Sequence, residues 1–141
     1  MGSQNVIARL ATIEDLAFVS QEGYLSQDHV ARKISQEECF LVEVNDESVG
    51  YLRLEYLWSL IPYIALIHIQ TGHQKQGYSR ILLDFVLETL RKKGQDSLYS
   101  SSQVDEPAPQ AWHRHMGFEE TGVINGINEG GIGEIFFRMN F

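Results

Sequence analysis

The stretch Gln74-Lys75-Gln76-Gly77-Tyr78-Ser79 lies between an apolar run, Tyr63 to Gln70, and a segment in which Leu82, Leu83, Val86, Leu87 and Leu90 recur at helical spacing. The run is apolar on both faces, which predicts a central strand covered on both sides. A strand that passes through a glycine into a helix leaves several backbone N–H groups without intrahelical partners, at the positive end of the helix dipole. Such a turn suits a phosphate or pyrophosphate. Gly77 and Ser79 keep the wall low enough for an anion to reach the backbone, and Lys75 and Arg80 add charge at the rim. The plain alternative is a tight turn that contains a glycine. No Gly-Lys-Ser/Thr follows, so this is not a P-loop, and the spacing of Gly72 and Gly77 is wrong for a Rossmann fingerprint.

Outward from this turn, strands and helices alternate. The helix closes with Arg91-Lys92-Lys93-Gly94, cations in the last turn and glycine just beyond it. Upstream, Cys39 to Val44 and Val49 to Tyr56 flank Asn45-Asp46-Glu47-Ser48 and predict an antiparallel hairpin. Val6 to Leu10 is a short strand candidate. Thr12-Ile13-Glu14-Asp15 reads as a helix cap, with the helix running to about Glu22 and stopping at Gly23. Ser26 caps a second, shorter helix whose apolar face includes Val30 and Ile34. Downstream come a weak strand, Ser97 to Ser101, and a short helix, Pro107 to Met116, ended by Gly117. A final hairpin pairs Thr121 to Asn125 with Glu134 to Phe141, and Ile135, Phe137, Met139 and Phe141 share one face of the last strand. The layout is a mixed sheet flanked by about four helices, of class α/β or α+β. No repeat or linker divides residues 1–141, so a single domain is expected. Glu134 to Phe141 as an edge strand would allow a partner chain to add to the sheet and form a homodimer.

With 141 residues, 11 Lys and Arg and 19 Asp and Glu, the formal charge is −8. A chain of this length hides roughly two thirds of its unfolded surface and can build a core without staples. Its one cysteine, Cys39, excludes an internal disulfide or a Cys-rich zinc site. The only basic cluster is Arg91-Lys92-Lys93, which argues against nucleic acid as a partner. Met1-Gly2-Ser3-Gln4 has no cationic lead and no apolar stretch behind it, unlike a secretory signal. The longest apolar run, Leu60 to Ile67, is interrupted by Pro62 and falls well short of the ~20 residues that span a bilayer. A cytoplasmic protein without membrane contact is expected. Histidines at 29, 68, 73, 113 and 115 show no i, i+4 pair with an evident third ligand, so no metal is expected.

Gln74, Gly77 and Ser79 take the places of a signature written Gln or Arg, two residues, Gly, one residue, Gly or Ala. On this motif the chain resembles the GCN5-related N-acetyltransferases (GNAT). Gln110-Ala111-Trp112-His113-Arg114-His115-Met116-Gly117-Phe118 is similar to the family's second landmark, a short helix running into Gly-Phe, and the order of elements follows the family's. The resemblance implies an acetyl-CoA site in which the backbone of Ile69 pairs with the pantetheine arm and the amides of Gln74, Lys75, Gln76, Gly77, Tyr78 and Ser79 hold the pyrophosphate, with Arg80 at the rim. It implies direct attack of a neutral amine on the thioester in a ternary complex. That chemistry needs a route for the ammonium proton, polarisation of the thioester carbonyl by backbone N–H, and an acid for the departing thiolate.

Many relatives place a tyrosine acid four residues before the glycine of Gly-Phe, and His113 stands there. An imidazolium can donate to a thiolate, since its unperturbed pKa is near 6.5. The other reading of His113 is a polar residue on an exposed helix face, with tyrosines such as Tyr99 as substitutes. His115 points elsewhere on the helix. Some relatives carry a glutamate base fourteen residues before the motif glycine, and that position is Tyr63. No carboxylate lies between Pro62 and Gln76. The proton route is therefore a water chain, Glu55 on the neighbouring strand, or His68, with a satisfied strand histidine as the favoured reading of His68 and a solvent-facing strand end as the plain reading of Glu55. Where relatives have a cofactor-touching asparagine the chain has Glu106, read as an acidic cap before Pro107. Gly130-Gly131-Ile132-Gly133 reads as a flexible hairpin loop that borders the acceptor pocket. The expected activity is N-acetyl transfer to a primary amine of a small molecule or peptide. The alternative is a non-catalytic acyl-CoA-binding sensor of the same fold.

Overall fold

The computed structural model describes residues 4–141, so most of the N-terminal stretch read above, Met1 to Ser3, lies outside the described residues. The strands are β1 (Val6–Leu10), β2 (Cys39–Val44), β3 (Glu47–Leu57), β4 (Ile61–Ile69), β5 (Ser97–Gln103), β6 (Glu119–Ile124) and β7 (Glu134–Asn140). The helices are α1 (Leu16–Val19), α2 (Gln27–Ser35), α3 (Tyr78–Lys92) and α4 (Pro107–Met116), with short 3-10 turns at Ile13–Asp15 and Glu129–Gly131. The seven strands are ordered β1-β2-β3-β4-β5-β7-β6, a mostly antiparallel sheet in which β4 and β5 run parallel at Tyr63 opposite Tyr99. The residues group into two compact units. One holds the chain up to Leu54 with Leu66–Leu90, the other Glu55–Ala65 with Arg91–Phe141.

In the first unit Val19, Val30, Cys39, Leu41 and Tyr51 form a buried cluster, with Phe18, Leu25, Ile34 and Leu66 around it. Phe40, one residue out of phase on β2, faces the other way and meets Phe85 of α3 edge-on at 6.1 Å. Leu82, Leu83, Val86, Leu87 and Leu90 are all buried, as their spacing requires. Arg53 is 2% exposed and is held by the Glu22 carboxylate, which also accepts the Tyr51 hydroxyl at 3.0 Å.

Several elements differ from expectation, β5 extending to Gln103 and β6 spanning Glu119–Ile124 among them. The first helix is a 3-10 turn plus α1 and ends at Val19, although Asp15 does accept the Thr12 N–H at 2.8 Å. The Ser20 to Gly23 segment turns early because the Glu22 side chain goes inward to Arg53. The first hairpin turn is only Asn45-Asp46, both left-handed, the geometry that matches strand twist in a two-residue turn. β4 is less enclosed than its apolar run suggests, with Pro62 and Ile64 buried and its C-terminal half only half-buried.

The position of the last strand also differs from expectation. β7 lies between β5 and β6, so the strand expected at an edge is interior and offers no open ladder to a partner chain. The edge on this side is β6, exposed along its length and broken by a register shift between Glu120 and Gly122, and the opposite edge is β1. The cause is topological. The chain crosses over with α4, lays down β6 outside, and returns through the gap with β7.

Candidate active site

The first unit supplies the turn between β4 and α3. Gly72 and Gly77 take positive φ, +94° and +84°, and Lys75 joins them at 61°. A Cβ built on Gly77 meets no atom within 4 Å, so glycine is selected there by backbone conformation, and the space in front of it is open. The helical ladder has begun by Ile81, whose N–H reaches the Gly77 carbonyl at 3.2 Å. The amides of the first turn precede that ladder and lie at the positive end of a fifteen-residue helix. Lys75 and Arg80 are exposed at the rim.

Side chains hold this turn from behind. Tyr78, 3% exposed, points inward and shares its one hydroxyl proton between Gln4 Oε1 at 2.9 Å and Gln76 Oε1 at 3.2 Å, so only its backbone is available to an anion. Gln74 Nε2 donates to the Ile69 carbonyl at 3.2 Å, closing the end of β4. Gln76 Nε2 donates to Gly72 O at 3.3 Å. Gly50 on β3 was not singled out in the sequence, yet a Cβ there would stand 2.9 Å from the His68 carbonyl and 2.5 Å from Ile69 Cδ1. Only glycine lets the end of β4 lie this close. Open space, amides and rim cations fit a pyrophosphate.

The second unit has two unlike faces. On one, α4 packs over β5 and β7, and His113 is 3% exposed, not on an open helix face. Its ring stacks on Phe137 at 4.4 Å between centroids. Nδ1 lies 2.7 Å from the Pro109 carbonyl and Nε2 lies 2.7 Å from Ser100 Oγ. A carbonyl only accepts, so Nδ1 carries the proton and Nε2 of the neutral ring accepts from Ser100. Burial pushes the imidazole below its usual 6.5, against the pull of the Pro109 carbonyl and of Glu134. Both nitrogens are therefore engaged within the protein.

The opposite face is half-open. Tyr63 Oη lies 2.5 Å from Ser101 Oγ, Ser101 donates to Glu134 Oε2 at 2.6 Å, and Asn128 Nδ2 donates to Glu134 Oε1 at 2.8 Å. Phe136 stacks on the Tyr63 ring at 5.9 Å. Burial raises the Tyr63 phenol above its usual 10, the Ser101 bond opposes this, and the Glu134 charge adds to it. The Gly130–Gly133 stretch, expected to be flexible, is pinned by bonds from Asn128 N–H to Ile132 O and from Gly131 N–H to Asn128 O.

Among the other candidates, Glu55 is half-buried on β3. His68 Nε2 pairs with Gln70 Oε1 at 2.9 Å and its ring tilts against Tyr51, the arrangement of a satisfied strand histidine. Glu106 occupies the cap position of α4 without a capping side-chain bond, and Gln110 instead holds the carbonyls of Gln103 and Val104. Among the described residues no group of three His, Cys, Asp or Glu is placed to hold a metal. Sequence reading missed Ser100, Ser101, Asn128 and Glu134. The Ser100-Ser101-Ser102 run was visible, but which serine faces which way follows only from the β5 to β7 register, Ser101 opposite Phe136.

An open glycine turn between a strand and a long helix marks the protein as one built to take an anionic ligand, and comparison with known proteins identifies the family. The family model for the Acetyltransferase (GNAT) family matches residues 7–118, and the chain belongs to that family. The family uses acetyl-CoA as acetyl donor. No curated protein matches the sequence. Among solved structures, yncA of Salmonella typhimurium, solved with its cofactor acetyl-CoA, has a TM-score of 0.80 at 15% identity, covering 96% of this chain and 93% of that one. A GNAT-family acetyltransferase of Bacillus cereus has a TM-score of 0.77 at 20% identity, covering 99% and 98%. The ribosomal-protein-S18-alanine N-acetyltransferase of Escherichia coli has 0.77 at 18%, covering 96% and 94%. At these identities the likeness is one of fold.

Proposed function

We propose that this protein is an acetyl-CoA-dependent N-acetyltransferase that moves the acetyl group to a primary amine of a small molecule or peptide by direct attack in a ternary complex. The observation that carries the reading is the β4 to α3 turn, in which a left-handed Gly77 opens onto free space at the start of α3 in a chain matched to the family over this segment. Acetyl-CoA, when bound, supplies an activated thioester. The amides of Gln74 to Ser79 and the Lys75 and Arg80 side chains hold its pyrophosphate, and the Ile69 carbonyl exchanges its Gln74 contact for the pantetheine arm. In this reading His113 serves as acid only if it gives up Ser100 and takes a proton against its burial, so Tyr99, half-buried opposite Arg138 in the β5 to β7 register, is the second candidate for the thiolate. Net acidity favours cationic acceptors such as polyamines, basic peptides or aminoglycosides. A cytoplasmic setting belongs to the same proposal; among the described residues no helix is long and apolar enough to cross a membrane.

The test is thermal unfolding with saturating acetyl-CoA, with ATP and NAD as controls. A ligand at a hundred times its Kd adds about 2.7 kcal/mol, a rise of roughly five to ten degrees for a domain of this size. Thiol release over a panel of amines then identifies the acceptor class. No shift with acetyl-CoA overturns the reading; a shift without thiol release for any amine leaves a binding module in place of an enzyme.

A further inference from the structure

We propose that Glu134 is the proton sink of the reaction, drawing the acceptor's ammonium proton through Ser101 and Tyr63, and so supplies from β7 the carboxylate that β4 lacks. The inference rests on the acetyltransferase reading above and adds a residue to it. Three observations carry it, all within the second unit.

The first is direction. Ser101 has one hydroxyl proton, and a carboxylate can only accept it, so at 2.6 Å that proton is committed to Glu134. At 2.5 Å Ser101 Oγ must then accept from the Tyr63 hydroxyl. The wire runs one way, from Tyr63 to Ser101 to Glu134. The Tyr63 oxygen keeps its lone pairs for a donor from outside, which is what an ammonium N–H is. The second is fixation. Glu134 Oε1 is held by Asn128 at 2.8 Å and the Tyr63 ring by Phe136, so neither end must be ordered when an acceptor arrives. The third is placement. Tyr63, Ser101, Glu134 and Phe136 are all half-buried on one sheet face, while Ser100, Ser102, Ile135, Phe137 and His113 on the other are buried. The relay is on the side a solute can reach.

The step balances. The ammonium gives one proton to Tyr63 Oη as Tyr63 passes its own to Ser101 Oγ and Ser101 passes its own to Glu134 Oε2. Tyr63 and Ser101 end with the bonds they began with. Net, one N–H bond breaks and one carboxyl O–H bond forms, leaving a neutral amine with its lone pair and a neutral Glu134, which returns the proton to solvent. The raised phenol affinity of Tyr63 keeps it protonated at rest, so the wire starts loaded. The titratable groups that interact with the carboxylate are Tyr63 on β4, through Ser101, and His113 across the sheet; Arg138, Tyr99 and Glu119 lie four register positions further along the strands. Tyr63 is the catalytic contact; Ser101 and Glu134 are positioning residues that act through it.

The experiment compares wild type with Glu134→Gln, Glu134→Asp and Ser101→Ala, using spermidine, tobramycin and a lysine-rich peptide as acceptors at pH 7 and pH 9.5. At pH 7 Glu134→Gln and Ser101→Ala are expected to lose on the order of a hundredfold in kcat with KM for acetyl-CoA and its thermal shift unchanged. Glu134→Asp should recover part of the loss. At pH 9.5, where more of the acceptor is neutral, the deficit should shrink tenfold or more. Independently of turnover, 13C NMR of the Tyr63 phenol carbon, assigned with Tyr63→Phe, should show its pKa falling in Glu134→Gln as the neighbouring charge is removed. Wild-type kcat in Glu134→Gln, or an equal deficit at both pH values, overturns the relay while leaving the acetyltransferase reading intact. No transfer by wild type to any of the three amines overturns that reading and the relay with it.

Discussion

Two regions of the molecule, one in each unit, are built from different material. The β4 to α3 turn of the first unit, the proposed anion site, is made of backbone: positive φ at Gly77, the amides ahead of α3 and the room left by Gly50. The polar clusters of the second unit, where the proposed proton relay lies, are made of side chains meeting across strands, Tyr63 with Ser101 and Glu134 on one face and His113 with Ser100 on the other. Glu134 reaches Ser101 diagonally, since the register partner of Ser101 is Phe136 and that of Glu134 is Gln103. A site made of backbone tolerates change in every residue except those whose conformation it uses. A site made of cross-strand pairs moves when a single register position moves.

The largest effect that separates the two is expected at Gly77. Gly77→Val places a β-branched residue at φ +84° and a side chain in the open space before the amides. It should abolish the acetyl-CoA thermal shift and cost about 1–3 kcal/mol of stability from strain. A retained shift would show that the backbone turn is not the anion site. Next is His113→Phe, which removes both ring hydrogen bonds and leaves the buried Ser100 hydroxyl without its acceptor. The loss should be roughly 2–3 kcal/mol in the apparent stability, read by urea unfolding. It also has a pH signature. Burial depresses the folded-state pKa, so the unfolded chain binds the proton first. That contribution to stability is complete above about 6.5 and falls away as pH drops through the window below it. The slope should be absent in His113→Phe. A large fall in kcat with no change in stability would instead make His113 the acid.

Gly50→Ala attacks the backbone site from a distance. The added Cβ meets the His68 carbonyl at 2.9 Å and must push the end of β4 away. A loss of about 1–3 kcal/mol is expected, together with weaker acetyl-CoA binding by isothermal titration, although Gly50 touches no ligand. The smallest effect is at Lys75→Ala, where an exposed rim charge is removed. Two- to fivefold in Kd is expected, shrinking further as salt is raised. A hundredfold loss there would mean that side-chain charge, rather than backbone, holds the anion.

This contrast explains what could be read from the sequence. The α3 helix, α4 and its Gly117 stop, β2 and the turn at Gly77 are local features, set by period and by glycine, and each lies where its residues indicated. The interior position of β7 and the partnership of Tyr63 with Glu134 depend on chain segments many residues apart, and no local pattern encodes them. His113 shows the boundary between the two. Its place on a short amphipathic helix was legible, but its inward orientation depended on Ser100 and Phe137 from two other strands.

The anchoring of Tyr78 has a kinetic consequence. Because its hydroxyl is tied to Gln4 and Gln76, the turn it belongs to is already formed when a ligand arrives. Capture of the anion then requires no loop rearrangement, and association should follow a single second-order phase with a rate proportional to ligand concentration and no plateau from a preceding conformational step. Cutting that tether with Tyr78→Phe converts a rigid receptor into one that must first be assembled, and the cost should be read in the on-rate before it is read anywhere else.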